Sequence, residues 1–191
     1  MTQDSRTGAS KAPRADRVRN RARVADAAYL VFAERGLGAT VAQVAQRAGV
    51  GNATVFRHFP TKEDLLDEVA ARWLEDWARV MEDRLDGQRE GALSDLLPVL
   101  FERLRTDRFT LDVLRAGVLH SRVEHARRGT QLLFTRALDR AVAEGLVRPD
   151  LTYADMAVLV LGVAGQLAEF EDFDADRWRR HADLVWAAIR A

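Results

Sequence analysis

The sequence predicts an all-α protein of about nine helices, on three observations. Apolar residues recur at steps of three and four in one segment after another, the spacing of a single helix face. Between these segments stand N-cap residues and glycine or proline stops, the chemistry that opens and closes helices. Hydrophobic residues make up 48% of the 191 positions, enough for a sizeable core.

Residues 1–15 are polar, carry Arg6, Lys11 and Arg14, and are expected to form a disordered basic arm. The first helix is expected from about Asp16 to Gly36, with Val24, Ala27, Ala28, Val31 and Phe32 facing inward. Its first turns hold Arg17, Arg19, Arg21 and Arg23, which oppose the helix macrodipole; a nearby polyanion would explain them. Thr40 and Gln43 read as a capping box, followed by Val41, Val44, Ala45 and Ala48 on a buried face and Gly49 as the stop. Val50 is the apolar plug of the turn, and Asn52 is expected as the next N-cap. Val55 and Phe59 then point inward, leaving Ala53, Thr54, Arg57 and His58 outside. Two short helices joined by such a turn have the layout of a helix-turn-helix, whose second helix enters a DNA major groove.

Thr61 caps a long helix carried by Leu65, Leu66, Val69, Trp73, Trp77 and Val80 to about Leu85. Its start belongs to the head and its end to the body, so a shift at the far end must move the head. Residues 86–92, with Gly87 and Gly91, read as a hinge or loop. A helix over residues 94–105 uses Leu96, Leu97, Leu100, Phe101 and Leu104, with Pro98 in about its first turn, where proline is tolerated. Residues 107–120 read as a helix with Phe109, Leu111, Leu114 and Val118. Residues 121–145 read as a longer one striped by Leu132, Phe134, Thr135, Leu138, Ala141 and Val142. Thr152 with Asp155 opens the most apolar helix of the chain, which is apolar nearly all round and needs cover on several sides. The last helix, from about Asp174, turns Trp178, Ala182, Val185 and Ile189 inward.

The chain has no cysteine, which excludes disulfides, thiolate metal sites and a cysteine nucleophile. No stretch approaches the roughly 18 to 20 apolar residues of a membrane span, and the N-terminus lacks an apolar signal core. A cytoplasmic protein without membrane contact is expected. The net charge of zero hides a segregation: residues 1–62 hold 11 basic and 4 acidic side chains (+7), and residues 63–191 hold 18 and 25 (−7). A basic head on an acidic body suits attraction to phosphate.

The run Thr54-Val55-Phe56-Arg57-His58-Phe59-Pro60-Thr61-Lys62-Glu63 resembles the signature of the tetracycline-repressor (TetR) family of bacterial transcriptional regulators. The resemblance covers about the first third of the chain closely. It implies a helix-turn-helix DNA-binding domain over residues 16–62 and a helical effector-binding and dimerisation domain over residues 63–191. It also implies a homodimer whose last two helices form a four-helix bundle, and an inverted-repeat operator in double-stranded DNA. By resemblance Thr40, Thr54, Phe56, His58 and Lys62 match positions that hold phosphates or touch the groove wall. Phe56 replaces the more usual tyrosine, keeping the ring and losing the hydroxyl. Gln43, Asn52 and Arg57 are candidates for reading base edges, and Ala53 faces outward beside them. The function implied is that of a repressor released by a small organic effector.

In the body Trp73, Trp77, Met81, Phe101, Phe109, Phe134 and Phe170 are candidates for an apolar effector pocket, with His120 and Gln166 as polar groups; each has core packing as its plain alternative. The run from His120 to His125 puts His120 and Glu124 on one helix face but turns His125 about 100° away. No metal or cofactor site is expected from it. Ser94 and Ser121 lack a nucleophile-elbow motif, so no catalytic residue and no enzyme are expected. A helical ligand carrier or partner-binding protein with a degenerate head is the alternative of a different class.

Overall fold

The structure, a computed structural model, describes residues 11–87, 90–115 and 121–191. Nine α-helices build it among the described residues. α1 (Lys11–Arg35), a 3-10 turn (Gly36–Gly38), α2 (Val41–Ala48) and α3 (Asn52–His58) form the head. α4 (Lys62–Asp86) leads into a body of α5 (Ala92–Thr106), α6 (Arg108–Arg115), α7 (Ser121–Ala143), α8 (Tyr153–Glu169) and α9 (Ala175–Ile189). α4 packs on α1 and most extensively on α7, α5 lies against α9, and α6 touches α1, the 3-10 turn, α5 and α8. Extended structure among the described residues is one bridge, between Val147 and Arg190, which ties the chain end to the α7–α8 connection.

The inward faces follow the helical spacing. Val24, Ala27, Ala28, Val31 and Phe32 of α1 and Trp178, Ala182, Val185 and Ile189 of α9 are all buried. Phe32 stacks on Phe109 of α6 at 5.4 Å, and Phe101 of α5 meets Trp178 edge-on at 6.3 Å. Capping boxes open α2 (Thr40 and Gln43), α4 (Thr61 and Asp64) and α8 (Thr152 and Asp155).

Several expectations need correction. α1 starts at Lys11 rather than near Asp16, because Pro13 falls in its first turn, where no amide hydrogen is required. Asn52 is not an N-cap: Gly51, extended at φ −80° and ψ 155°, takes that place, and its carbonyl accepts from Thr54 N. α5 starts at Ala92, since Ser94 Oγ turns back to donate to Gly91 O at 2.7 Å and closes the first turn earlier. Pro98 therefore stands inside α5, on its exposed side. In α7 Leu132 is 63% exposed and Leu133 takes the core side. Val118 and His120 lie outside the described residues.

Two glycines hold left-handed backbone at the corners of the head, Gly36 (φ +63°) and Gly49 (φ +66°). A Cβ at Gly49 would meet nothing within 4 Å, whereas one at Gly36 would stand 2.8 Å from Asp112 Oδ2. That same oxygen accepts from Leu37 N at 3.1 Å. Gly49→Ala is expected to cost about 1–2 kcal/mol, the left-handed strain alone. Gly36→Ala is expected to cost more, because Asp112 must also give way; urea unfolding midpoints of the two variants check the order.

Candidate nucleic-acid interface

The head is shaped by two short helices and the turn between them. Gly49 N donates to Gln46 O and Val50 N to Ala45 O, so the turn closes on the last carbonyls of α2. Val55 and Phe59, each 1% exposed, fasten α3 to the core. Phe59 ends the helix in extended backbone, its N–H donating to Val55 O. The opposite face is left to solvent: Asn52, Ala53, Phe56 and Arg57 are exposed, and Thr54 and His58 are half-buried. Phe56 is 45% exposed on this same outward face.

The expected contact residues are not equally free. Arg57 reaches Thr54 Oγ1 only at 3.4 Å, so its guanidinium remains available to a partner. Gln43 Oε1 accepts from Thr40 N at 2.9 Å, which leaves its NH2 and one lone pair of its oxygen unused by the cap. Lys62 Nζ donates to Leu37 O at 2.6 Å, so the ammonium first of all locks α4 to the turn after α1. The His58 imidazole is held below its ordinary range, first by burial and then by the charges of Arg17, Arg21 and Arg57, and is neutral near pH 7.

Arg21, grouped by sequence with the phosphate-attracting arginines, has an internal task. It donates from Nη1 to His58 O and from Nη2 to Glu68 Oε2, both at 2.6 Å, with its guanidinium 4.2 Å from the Phe59 ring centroid. Glu68, 6% exposed, also accepts from Arg72 Nε at 2.8 Å. A carboxylate this deep needs such partners, and together they clasp α1, the end of α3 and α4. Glu68 could have been noticed in the sequence as a charge three residues after Leu65 and next to Val69, near the inner stripe of α4.

The body contains a cleft of about 470 Å³ of atom-free space, its mouth included. Three pairs spaced four apart converge on it: Trp73 and Trp77 of α4, Thr130 and Phe134 of α7, Met156 and Val160 of α8. Leu100, Leu114, Tyr153, Ala157 and Leu161 complete the wall. Of the pocket candidates among the described residues, Trp73, Trp77 and Phe134 line it. Met81 is fully buried, Phe109 is paired with Phe32, and Phe101 is paired with Trp178. Gln166 and Phe170 are exposed, Phe170 because α8 ends at Glu169 and leaves it beyond the helix. His120 lies outside the described residues. His125 is exposed and Glu124 pairs with Arg127 and Arg128; no group of three His, Asp or Glu is placed to hold a metal among the described residues.

Comparison with known proteins agrees with this geometry. Residues 24–69 match the family model described as bacterial regulatory proteins, tetR family. The chain is 43% identical over 60 residues to the HTH-type transcriptional regulator LuxR of Vibrio harveyi, covering 29% of this chain and 28% of LuxR. It is 28% identical over 143 residues to the HTH-type transcriptional repressor KstR2 of Mycobacterium tuberculosis, covering 69% of this chain and 70% of KstR2. The solved TetR transcription regulatory protein from Mycobacterium vanbaalenii is similar over 94% of this chain and 99% of its own, at 30% identity and a TM-score of 0.61. The chain belongs to the TetR family. It is a DNA-binding regulator of transcription, and the α2–α3 unit lies wholly within the matched residues. No described helix is long and apolar enough to cross a membrane.

The Arg21 clasp makes a separable prediction. Arg21→Ala is expected to cost about 1–3 kcal/mol, measured by urea unfolding, since it removes charge-assisted hydrogen bonds at a buried carboxylate. Arg21→Lys retains a charge for Glu68 but cannot fork to His58 O as well. It should recover most of the stability while leaving DNA affinity reduced.

Proposed function

We propose that the chain works as a homodimer that represses transcription from an inverted-repeat operator and lets go when a small organic molecule fills the body cleft. Residues 16–62 are the DNA-binding domain in this reading, and residues 63–191 bind the effector and the second subunit. The observation that carries it is the outward face of α3, with Asn52, Ala53, Thr54, Phe56, Arg57 and His58 presented by a helix whose other face is buried. Asn52, relieved of capping, and Arg57 are assigned to base edges. Thr40, Thr54 and His58 are assigned to phosphates, and Phe56 to the groove wall.

Dimerisation is supported by α8 and α9. Val158 is 73% exposed and Leu184 51% exposed, and nothing lies within 4 Å of a Cβ added at Gly162. An apolar helix with such a face needs cover, and a two-fold mate supplies the same face in return. Release is supported by the walls of the cleft. The Arg103 guanidinium lies 4.8 Å from the Trp73 ring and 5.7 Å from the Trp77 ring, and it also interacts with Tyr29 of α1. Tyr29 donates to Asp107 Oδ2 at 3.0 Å, and Thr110 Oγ1 donates to the same oxygen at 2.7 Å. A ligand that moves the tryptophans thus presses on groups joined to the head; it releases DNA to the extent that it prefers the displaced arrangement.

Selection from random duplexes tests the reading. The full chain is expected to recover an inverted repeat with half-sites about one helical turn apart, and its affinity should fall steeply with salt. Val158→Arg should elute as a monomer and lose the preference for paired half-sites. Failure of the wild type to enrich any sequence would overturn the proposal.

His58 adds a pH dependence. Its free imidazole titrates below 6.5, and an adjacent phosphate favours the imidazolium, so the pKa rises in the complex. Affinity should therefore increase as pH falls through the bound-state pKa and level off below the free-state value. Binding isotherms between pH 8 and pH 5.5 are expected to show about a tenfold gain, absent in His58→Gln.

A further inference from the structure

We infer that Asp112 of α6, a body residue, is a positioning residue for DNA binding: its carboxylate holds the backbone of Leu37, and with it the entry to α2, in the geometry that DNA requires. This rests on the α2–α3 unit being the part that meets DNA, as proposed above. The turn leading into α2 is Gly36-Leu37-Gly38, a leucine between two glycines. Glycine brings backbone freedom that a fixed turn must lose on folding. The side chains of the turn restrain it little: Leu37 is 40% exposed, and a Cβ at Gly38 would meet nothing within 4 Å. Two groups from outside the turn hold it instead. Leu37 N donates to Asp112 Oδ2 at 3.1 Å, and Leu37 O accepts from Lys62 Nζ at 2.6 Å. Thr40, three residues further on, caps α2, so the course of α2 and then α3 out of the turn depends on where Leu37 is held.

Asp112 is itself fixed against the head. Its helix opens at the buried Asp107, which accepts from Thr110 N at 3.1 Å through Oδ1 and from Tyr29 of α1 at 3.0 Å through Oδ2. Phe109, one turn before Asp112, stacks on Phe32 of α1. The Asp112 carboxylate occupies the space beside Gly36 that a Cβ would need, so the left-handed glycine is what lets it come so close. A carboxylate has no proton to give a phosphate, and its charge repels a polyanion. Whatever Asp112 adds to DNA affinity therefore runs through Leu37 and has the sign opposite to that of its charge. Asparagine keeps an oxygen acceptor for Leu37 N and drops the charge, whereas alanine drops both.

The full wild-type chain, Asp112→Ala and Asp112→Asn are titrated by fluorescence anisotropy against the duplex recovered by selection and against a scrambled duplex of the same length. Asp112→Ala is expected to bind the selected duplex about tenfold more weakly, although loss of a negative charge alone would strengthen binding. On the scrambled duplex it should bind at least as well as the wild type. Asp112→Asn should stay within about twofold of the wild type on the selected duplex, the difference between a charged and a neutral acceptor. Amide hydrogen exchange is expected to be faster at Leu37 and along α2 in Asp112→Ala, and close to wild type in Asp112→Asn. Equal or tighter binding of the selected duplex by Asp112→Ala overturns the inference and leaves the DNA-binding reading in place. Equal losses in the alanine and asparagine variants overturn it as well, because the bond to Leu37 survives in only one of them. If the wild type selects no duplex, the reading of α2–α3 and the inference fall together. Should Asp112→Ala not fold, Asp112→Ser, one bond shorter than aspartate, takes its place with the same expected loss.

Discussion

Helix α4 runs from the capping box at Thr61 to Asp86, and its two ends keep different company. Leu65 and Val69 are buried where α4 meets the head, while Trp77, Met81 and Leu85 are buried further along the helix, which packs most extensively on α7. At about 1.5 Å per residue, its 25 residues span about 37 Å. The buried residues of head and body accordingly form one cluster rather than two. A joint of this kind transmits displacement because neither end can slip without breaking close packing. The buried Glu68 strengthens it: its carboxylate is held by Arg21 from α1 and Arg72 from α4, so the α1–α4 contact has a direction as well as an area.

The arginines at the start of α1 divide into two kinds once the fold is known. Arg21 is an internal strut, bound to a carbonyl, a carboxylate and a ring. Arg17 and Arg23 are exposed, and the first turn of α1 carries no acidic residue to offset its dipole. Arg19 is paired with Asp16, so the exposed positive charge among these arginines comes from Arg17 and Arg23, and the Arg17 charge helps to hold His58 neutral. Attraction to phosphate and a neutral imidazole are two results of the same crowding of positive charge.

Much of this was legible in the sequence, and the limits have physical causes. Capping boxes are local, involving residues three apart, so Thr40 with Gln43 and Thr152 with Asp155 could be placed without any tertiary knowledge. Inward faces were legible for the same reason, since periodicity reports which side of a helix is apolar. It does not report which helix that side meets. Phe101 and Phe109 were correctly inward-facing residues, yet they go to Trp178 and Phe32 instead of the cleft. Periodicity does not single out Tyr153, although it helps to line the cleft. The Gly51 cap was hidden because a glycine there caps through backbone geometry, without the side chain that makes Asn the usual choice.

The backbone of Leu37 draws the head and the cleft together. Its N–H donates to Asp112 of α6, and the carbonyl of the same residue accepts from Lys62 at the first position of α4. Two residues beyond Asp112, Leu114 lines the cleft. A side chain that lines the cleft and one that holds the turn before α2 are thus carried by the same eight-residue helix, with Phe109 of that helix stacked on Phe32 of α1. α4 offers a longer route between the same places, from Trp73 and Trp77 down to Lys62. Because both routes end on Leu37, one on its amide and the other on its carbonyl, any motion that separates α6 from α4 must strain this junction. Gly36, left-handed and with no room for a Cβ beside Asp112, is the residue that lets the chain make that turn.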